Sequence, residues 1–209
     1  MPEIDPKLRK YIETEILTKY VDGAGHSLDH IKYVIKRSLK FAEQVPGTDK
    51  NMCYVIAAYH DLGRLLDDHY HEKISAFFLR IDESLKSFFN EEQIEIMAEA
   101  VEDHRASSDH EPRSVYGRIV SSADRTTSVN AAVTRPADSY ISRYPNRPID
   151  DNIETARQHL YRKYGPDGYG RDKIYFKDPD FEKFLKEIVK IASDEKAYRD
   201  HYKKLKNML

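Results

Sequence analysis

The chain contains no tryptophan, one cysteine, no apolar run of the roughly 18 residues that a membrane span needs, and no marked excess of either charge. Each absence closes off a class of protein. The lone Cys53 rules out an internal disulfide framework and fits a reducing compartment. With 34 Lys and Arg against 36 Asp and Glu, the formal net charge is -2, so no strong field draws the chain to a nucleic acid polymer or an anionic membrane. Met1-Pro-Glu-Ile-Asp-Pro-Lys has no apolar signal core, and the expectation is a soluble, cytoplasmic protein. No stretch alternates for long enough to predict a strand, none repeats, and none is low in complexity. What the chain has instead is nine histidines, which directs attention to a metal or acid/base site.

Apolar residues recur at spacings of three and four along most of the 209 residues, predicting an all-α bundle in a single domain. Leu8, Tyr11, Ile12, Ile16, Leu17 and Tyr20 predict a helix over residues 6–20. Asp22-Gly23-Ala24-Gly25 breaks it, and His26-Ser27-Leu28-Asp29-His30 leads into a second helix with Ile31, Val34, Ile35, Ser38 and Ala42 on one face. Residues 50–65 are apolar nearly all round, the mark of a central helix. A fourth helix is expected over 71–89, with Ile74, Phe77, Phe78 and Ile81 inward. A fifth is expected over 91–105 behind an Asn90 cap and a Gln93 capping box, and a sixth over 114–127. Residues 126–176, with their prolines, glycines and tyrosines, predict an irregular, lid-like elaboration holding one helix over 149–163. Residues 180–207 predict one long last helix.

His60 and Asp61 follow the apolar run of the third helix, so an imidazole and a carboxylate emerge together from the centre of the bundle. Taken alone, the pair is equally a metal clamp or a plain helix end with Gly63 as its stop signal. His30, His71, His104 and Asp124 also fall at the end, or on the inward side, of expected helices. Three pieces carry a family likeness: His26-Ser-Leu-Asp-His30-Ile-Lys-Tyr-Val34, Ala57-Ala-Tyr-His60-Asp61-Leu-Gly63, and Ile119-Val-Ser-Ser-Ala-Asp124-Arg125. Their order, H…HD…D, resembles the HD-domain superfamily of metal-dependent phosphohydrolases.

The resemblance implies that His30, His60, Asp61 and Asp124 are the protein ligands of a divalent ion in a core over about residues 22–128. The elaboration and C-terminal helix would occupy about 129–209 of the same domain. His71-Glu-Lys-Ile-Ser75-Ala76, His104 and Arg147-Pro148-Ile149-Asp150-Asp151 are most similar to the stand-alone bacterial YedJ-like group, over roughly residues 15–200. The resemblance names no substrate. It implies that His71 and His104 either hold a second ion, bridged to the first by Asp61, or act as donors to phosphate or to a ligand carboxylate.

The donor set agrees with that reading on its own terms. Two imidazoles and two carboxylates suit Mn²⁺, Fe²⁺, Co²⁺, Ni²⁺ or Mg²⁺, whereas a structural zinc site normally uses thiolates. One ion is expected rather than two. Such an ion acidifies water and neutralises charge on phosphoryl oxygens, which is most of what phosphoester hydrolysis requires. Asp61 and Arg64 are the candidate catalytic residues, and Arg64, Lys73, Arg105 and Arg125 the candidate substrate binders. The expected substrate is a small phosphorylated metabolite or a nucleotide. Two rivals remain: a nucleotide-binding regulatory module without turnover, and an HD-type di-iron oxygenase using His71 and His104. Asp67 and Asp68 are either a catalytic acid or a turn and helix cap. His26 is assigned to the loop before its helix, His69, His110, His159 and His201 to the surface, and Cys53 to the core. Gly165-Pro-Asp-Gly168-Tyr-Gly170 follows no strand and is assigned to a turn, and the tyrosines between 140 and 175 to covering the core rather than stacking on a base.

Overall fold

The computed structural model describes residues 4–20, 28–172 and 174–208. His26 and the break at residues 22–25 lie outside the described residues. Among the described residues there are ten α-helices and no strand, so the fold is all-α. The chain divides into two compact units, Met1–Asp124 and Arg125–Leu209.

In the first unit, Asp5 accepts hydrogen bonds from the N–H groups of Lys7 and Leu8 and starts α1 (Pro6–Tyr11). The helical path continues through a π turn (Ile12–Ile16) and a 3-10 turn (Leu17–Lys19), keeping Leu8, Ile12, Ile16 and Leu17 buried. After α2 (Leu28–Ala42) comes α3 (Lys50–Tyr59), capped by Asp49, with every side chain from Met52 to Tyr59 buried. The expectation of a central helix holds for α3, which packs against α2 and against α5 (Glu91–Glu102) and α6 (Val115–Ala123). The expected capping box at Asn90 and Gln93 is present in both directions, and the Ser114 side chain caps α6 by accepting from Gly117 N–H.

The fourth helix is shorter and rotated relative to the sequence expectation. α4 (His71–Ile81) stops at Asp82, whose carboxylate accepts from Ser84 N–H and starts a separate 3-10 turn (Glu83–Ser87). Phe77 and Ile81, expected inward, are 54% and 53% exposed, and His71, Ser75, Ala76 and Leu79 face the interior instead. α4 packs on the 3-10 turn Leu62–Leu65 at Gly63, whose lack of a side chain admits the start of the helix and whose N–H bonds Ser75 Oγ.

Arg80 ties α4 to α5 through Glu95 at 2.7 Å and Glu102 at 2.8 Å. Arg80 holds the Glu95 carboxyl below its ordinary value. Burial pushes Glu102 up, but Arg113 and Arg80 outweigh it and hold it down too. Carboxylates with depressed folded pKa values contribute stability above their unfolded value of about 4.3, and that contribution is lost as pH falls through the folded value. Arg80→Ala should therefore cost about 1 kcal/mol at pH 7, a figure already reduced for solvent screening. Urea melts near pH 3 should show little difference from wild type; an equal cost at both pH values would remove the ion pairs as the cause.

The second unit departs most from expectation. Residues 126–176 are not irregular: they hold α7 (Val129–Arg143) and α8 (Ile149–Tyr164), and α7 carries Pro136 inside it. An internal proline costs a helix about 3 kcal/mol, and burial of Ala132, Val133 and Ala137 around it offsets that cost. The last helix is two, α9 (Pro179–Ala192) and α10 (Glu195–Leu205), because Asp194 accepts from Ala197 N–H and caps a new start. Val133, Ile153, Leu160, Phe181, Phe184, Ile188 and Tyr198 belong to one core, and Tyr198 donates to Val133 O at 2.9 Å. Of the tyrosines, Tyr164 packs into this core against Phe184, while Tyr144, Tyr161 and Tyr169 are exposed. Residues 165–170 form a turn and the start of a 3-10 segment (Tyr169–Arg171) that follows a helix, as expected. His159 and His201 are half-buried rather than fully at the surface.

Candidate metal centre

Five elements of the first unit deliver six side chains to one buried point. His30 stands in the first turn of α2. α3 ends at His60, whose N–H still reaches Ile56 O. Asp61 then leaves helical geometry at φ -109°, ψ 7°, which lets consecutive side chains converge instead of diverging around a helix. Gly63 docks this turn on the start of α4: its N–H donates to Ser75 Oγ at 2.8 Å, and an added Cβ would stand 2.4 Å from His71 O. His71 opens α4, His104 follows α5, and Asp124 closes α6.

Three imidazoles are locked the same way. Nδ1 of His60 contacts Ala57 O at 2.8 Å, that of His71 contacts Asp68 O at 2.9 Å, and that of His104 contacts Val101 O at 2.6 Å. A carbonyl only accepts, so each Nδ1 carries a proton and each ring turns its Nε2 toward the centre. His30 Nε2 lies 3.0 Å from Asp124 Oδ1 and 3.6 Å from Asp61 Oδ2, and His60 Nε2 lies 3.7 and 3.5 Å from the same two atoms. On the other side, Asp61 Oδ1 is 3.3 Å from His71 Nε2 and 3.6 Å from His104 Nε2, and those two nitrogens are 3.2 Å apart. Two groups result, His30/His60/Asp124 and Asp61/His71/His104, each with donor atoms within 4.8 Å of one another. Asp61 faces both, one oxygen to each.

His60, Asp61, His71 and His104 are each at most 2% exposed. Burial pushes the His60 imidazole down, but Asp61 and Asp124 outweigh it and lift it to about 10. Burial likewise pushes the Asp124 carboxyl up, and His30 and His60 outweigh that and hold it well below the usual range. His71 is brought down to about 4 by burial, His104 and Arg64, so it is neutral at physiological pH. His60 Nε2 is buried without a hydrogen-bond partner. An orphaned nitrogen among carboxylate oxygens, within a set of imidazoles oriented by backbone carbonyls, fits a divalent cation of the N/O-preferring kind.

The other candidates separate. Arg64 Nε donates to Asp61 Oδ1 at 2.8 Å, and its Nη1 pairs with Asp68, so it holds a carboxylate of the cluster. Lys73 is exposed, 5.8 Å from the centre of the Tyr70 ring, and Arg105 donates to His69 O and Glu72. Both line an open cleft of about 730 Å³ together with Glu102, Ser108 and His110. Arg125, expected to bind substrate, is buried, donates to Gly170 O and Asp172 O, and lies over the Phe181 ring. These contacts make it a structural residue of the second unit. Asp67 accepts from His69 and Tyr70 N–H groups, the turn-and-cap alternative. His69 and His110 are exposed, and buried Cys53 has its thiol pushed up to about 12, unsuited to a nucleophile.

Sequence reasoning missed Arg37, which is buried; Tyr20, which belongs to the apolar stripe of the first helix, is buried and its hydroxyl donates to Ala58 O at 2.7 Å. The only available signal for Arg37 was its place in an apolar stripe between Val34 and Phe41.

A comparison with curated proteins finds no match. Among solved structures, the chain is similar to the crystal structure of a predicted HD superfamily hydrolase from an uncultured Thermotogales bacterium. Identity is 20%, the TM-score is 0.49, and the match covers 75% of this chain and 88% of that one. Residues 27–128, the stretch that carries all six converging side chains, match the family model described as HD domain.

Proposed function

We propose that the first unit is a metal-dependent phosphohydrolase acting on a small phosphorylated metabolite or a nucleotide. The observation that carries the reading is the division of Asp61: Oδ2 faces His30 and His60 while Oδ1 faces His71 and His104. His30, His60, Asp124 and Asp61 would hold one divalent ion, and His71, His104 and Asp61 a second, so the division favours two ions over the single one expected from sequence. Bound divalent ions would supply an acidified water and neutralise charge on the phosphoryl group.

The chain's own residues do the rest. The three Nδ1 contacts to backbone carbonyls fix ring orientation before any ligand arrives, so little reorganisation is needed. Arg64 orients Asp61 through the hydrogen bond from its Nε to Oδ1. Lys73 and Arg105, close in sequence to His71 and His104, are the bases that would meet a phosphate, in a cleft whose charge is mixed because Glu72, Glu102, Asp109 and Glu111 also line it.

The His71/His104 pair equally supports the di-iron oxygenase reading. Metal analysis separates the two: a pair of redox-active irons with no phosphate release favours the oxygenase. The deciding experiment strips the protein of metal, restores Mn²⁺ or Ni²⁺, and measures phosphate release across nucleotides and phosphosugars. Release with at least one member, absent before metal is restored, is expected. Failure with every metal and substrate would defeat the hydrolase reading. Restoring metal should also raise the Tm, because an ion that binds only the folded state stabilises it by mass action, about 2.7 kcal/mol at a hundred times Kd.

A further inference from the structure

Arg37 is a buried cation that the proposed chemistry does not use. It lies on α2, two turns beyond His30, and its Nε and Nη2 donate to Ala123 O at 3.1 Å and Ser122 O at 3.2 Å. These are the last two residues of α6 before Asp124, whose own N–H closes on Val120 O at 2.9 Å. The final carbonyls of a helix lack partners within it and concentrate its negative end, and a planar guanidinium can satisfy two of them at once. The rings of Tyr33 and Phe41 hold that guanidinium from α2, with centroids 5.3 and 5.1 Å away. Ser38, Ser121 and Ser122 are buried, and their small side chains allow α2 and α6 to run close together. One helix therefore carries both a histidine of the cluster and the clamp on the backbone from which Asp124 projects.

We propose that Arg37 is a positioning residue: by fixing the last turn of α6 it sets where the Asp124 carboxylate stands relative to His30 and His60. It thereby sets how tightly that half of the centre holds its cation. The inference rests on the reading that the cluster binds a divalent ion, but not on which reaction follows. Ligand atoms must be held to within about half an ångström to coordinate well, and Arg37 ties the two carbonyls that precede Asp124 to the helix of His30.

The test is a Co²⁺ titration of the metal-stripped full chain, followed by its visible absorption. Arg37→Met and Arg37→Lys are compared with Val34→Ala, which loosens the same helix from a buried position whose side chain has no donor. Arg37→Met should weaken Co²⁺ binding roughly tenfold to a hundredfold and alter the ligand-field bands, the size expected for groups that orient ligands. Arg37→Lys, which keeps one donor and the charge, should recover part of the affinity; if Arg37→Met does not fold, the Lys variant still reports a loss. Val34→Ala should lower the Tm with less than about a threefold change in affinity, since its ligands stay in register. Unchanged affinity in the Arg37 variants, or an equal loss in Val34→Ala, would overturn the inference. A wild-type chain that binds no Co²⁺ would instead overturn the metal reading, and this inference with it.

Discussion

Asp61→Ala is expected to remove bound metal and phosphate release together, with at least about a thousandfold loss in turnover, as when an essential group of a catalytic unit is deleted. Asp61 is the residue common to both halves of the cluster, with two histidine nitrogens within 3.6 Å on each of its oxygens. Its loss leaves four imidazoles and Asp124, with no carboxylate between the halves. His60 and Arg64 each lose an anion that Asp61 supplied in a buried place, so the empty variant should melt lower as well. Asp61→Asn sharpens the test, because an amide retains a single acceptor oxygen. The metal content measured per chain should fall by at least one ion relative to wild type. Full occupancy in Asp61→Ala would sink the ligand assignment, whatever happened to the activity.

Gly63→Ala should be the most damaging glycine-to-alanine change among the described residues of the first unit. The added carbon would stand 2.4 Å from His71 O and 2.8 Å from Ser75 N and Ile74 Cβ, two backbone atoms and a carbon fixed by the backbone, none of which a rotamer change can move. Overpacking of this kind costs about 3 kcal/mol or more, a Tm drop of roughly 6–12 °C for a chain of this size. The damage should be selective. The turn that Gly63 lets approach α4 is the one that holds Asp61 against His71, so the Asp61/His71/His104 half should lose metal before the His30/His60/Asp124 half does. Calorimetry and metal analysis on the same preparation check both parts. A variant with wild-type Tm and full metal content would show that the close approach does not matter.

Much of the candidate centre was legible in the chain because its residues sit where helical periodicity breaks. His60 and Asp61 follow an apolar run that could only be central, His30 opens a striped helix, and Asp124 closes one. Other features were readable only in part. The charge on Arg105 or Arg125 is visible in sequence, but its partner is not. Arg125 turned out to be engaged by Gly170 and Asp172 carbonyls some 45 residues away, which no local pattern encodes. The same holds for Arg37, whose partners are the carbonyls of Ser122 and Ala123.

What the sequence determined by itself was the helical class and the cap at Asn90, which follow from spacing and local hydrogen bonding, while the six converging side chains were picked out by their places at helix ends together with the HD-domain resemblance. Tertiary structure decided the rest. Proline inside α7 was outweighed by burial, Asp194 divided the last helix, and the inward face of α4 rotated to admit Gly63. It also decided that Asp61 shares its two oxygens between two histidine pairs. The direction of a carboxylate depends on the helices that pack around it, and that packing is a property of the whole unit rather than of any segment.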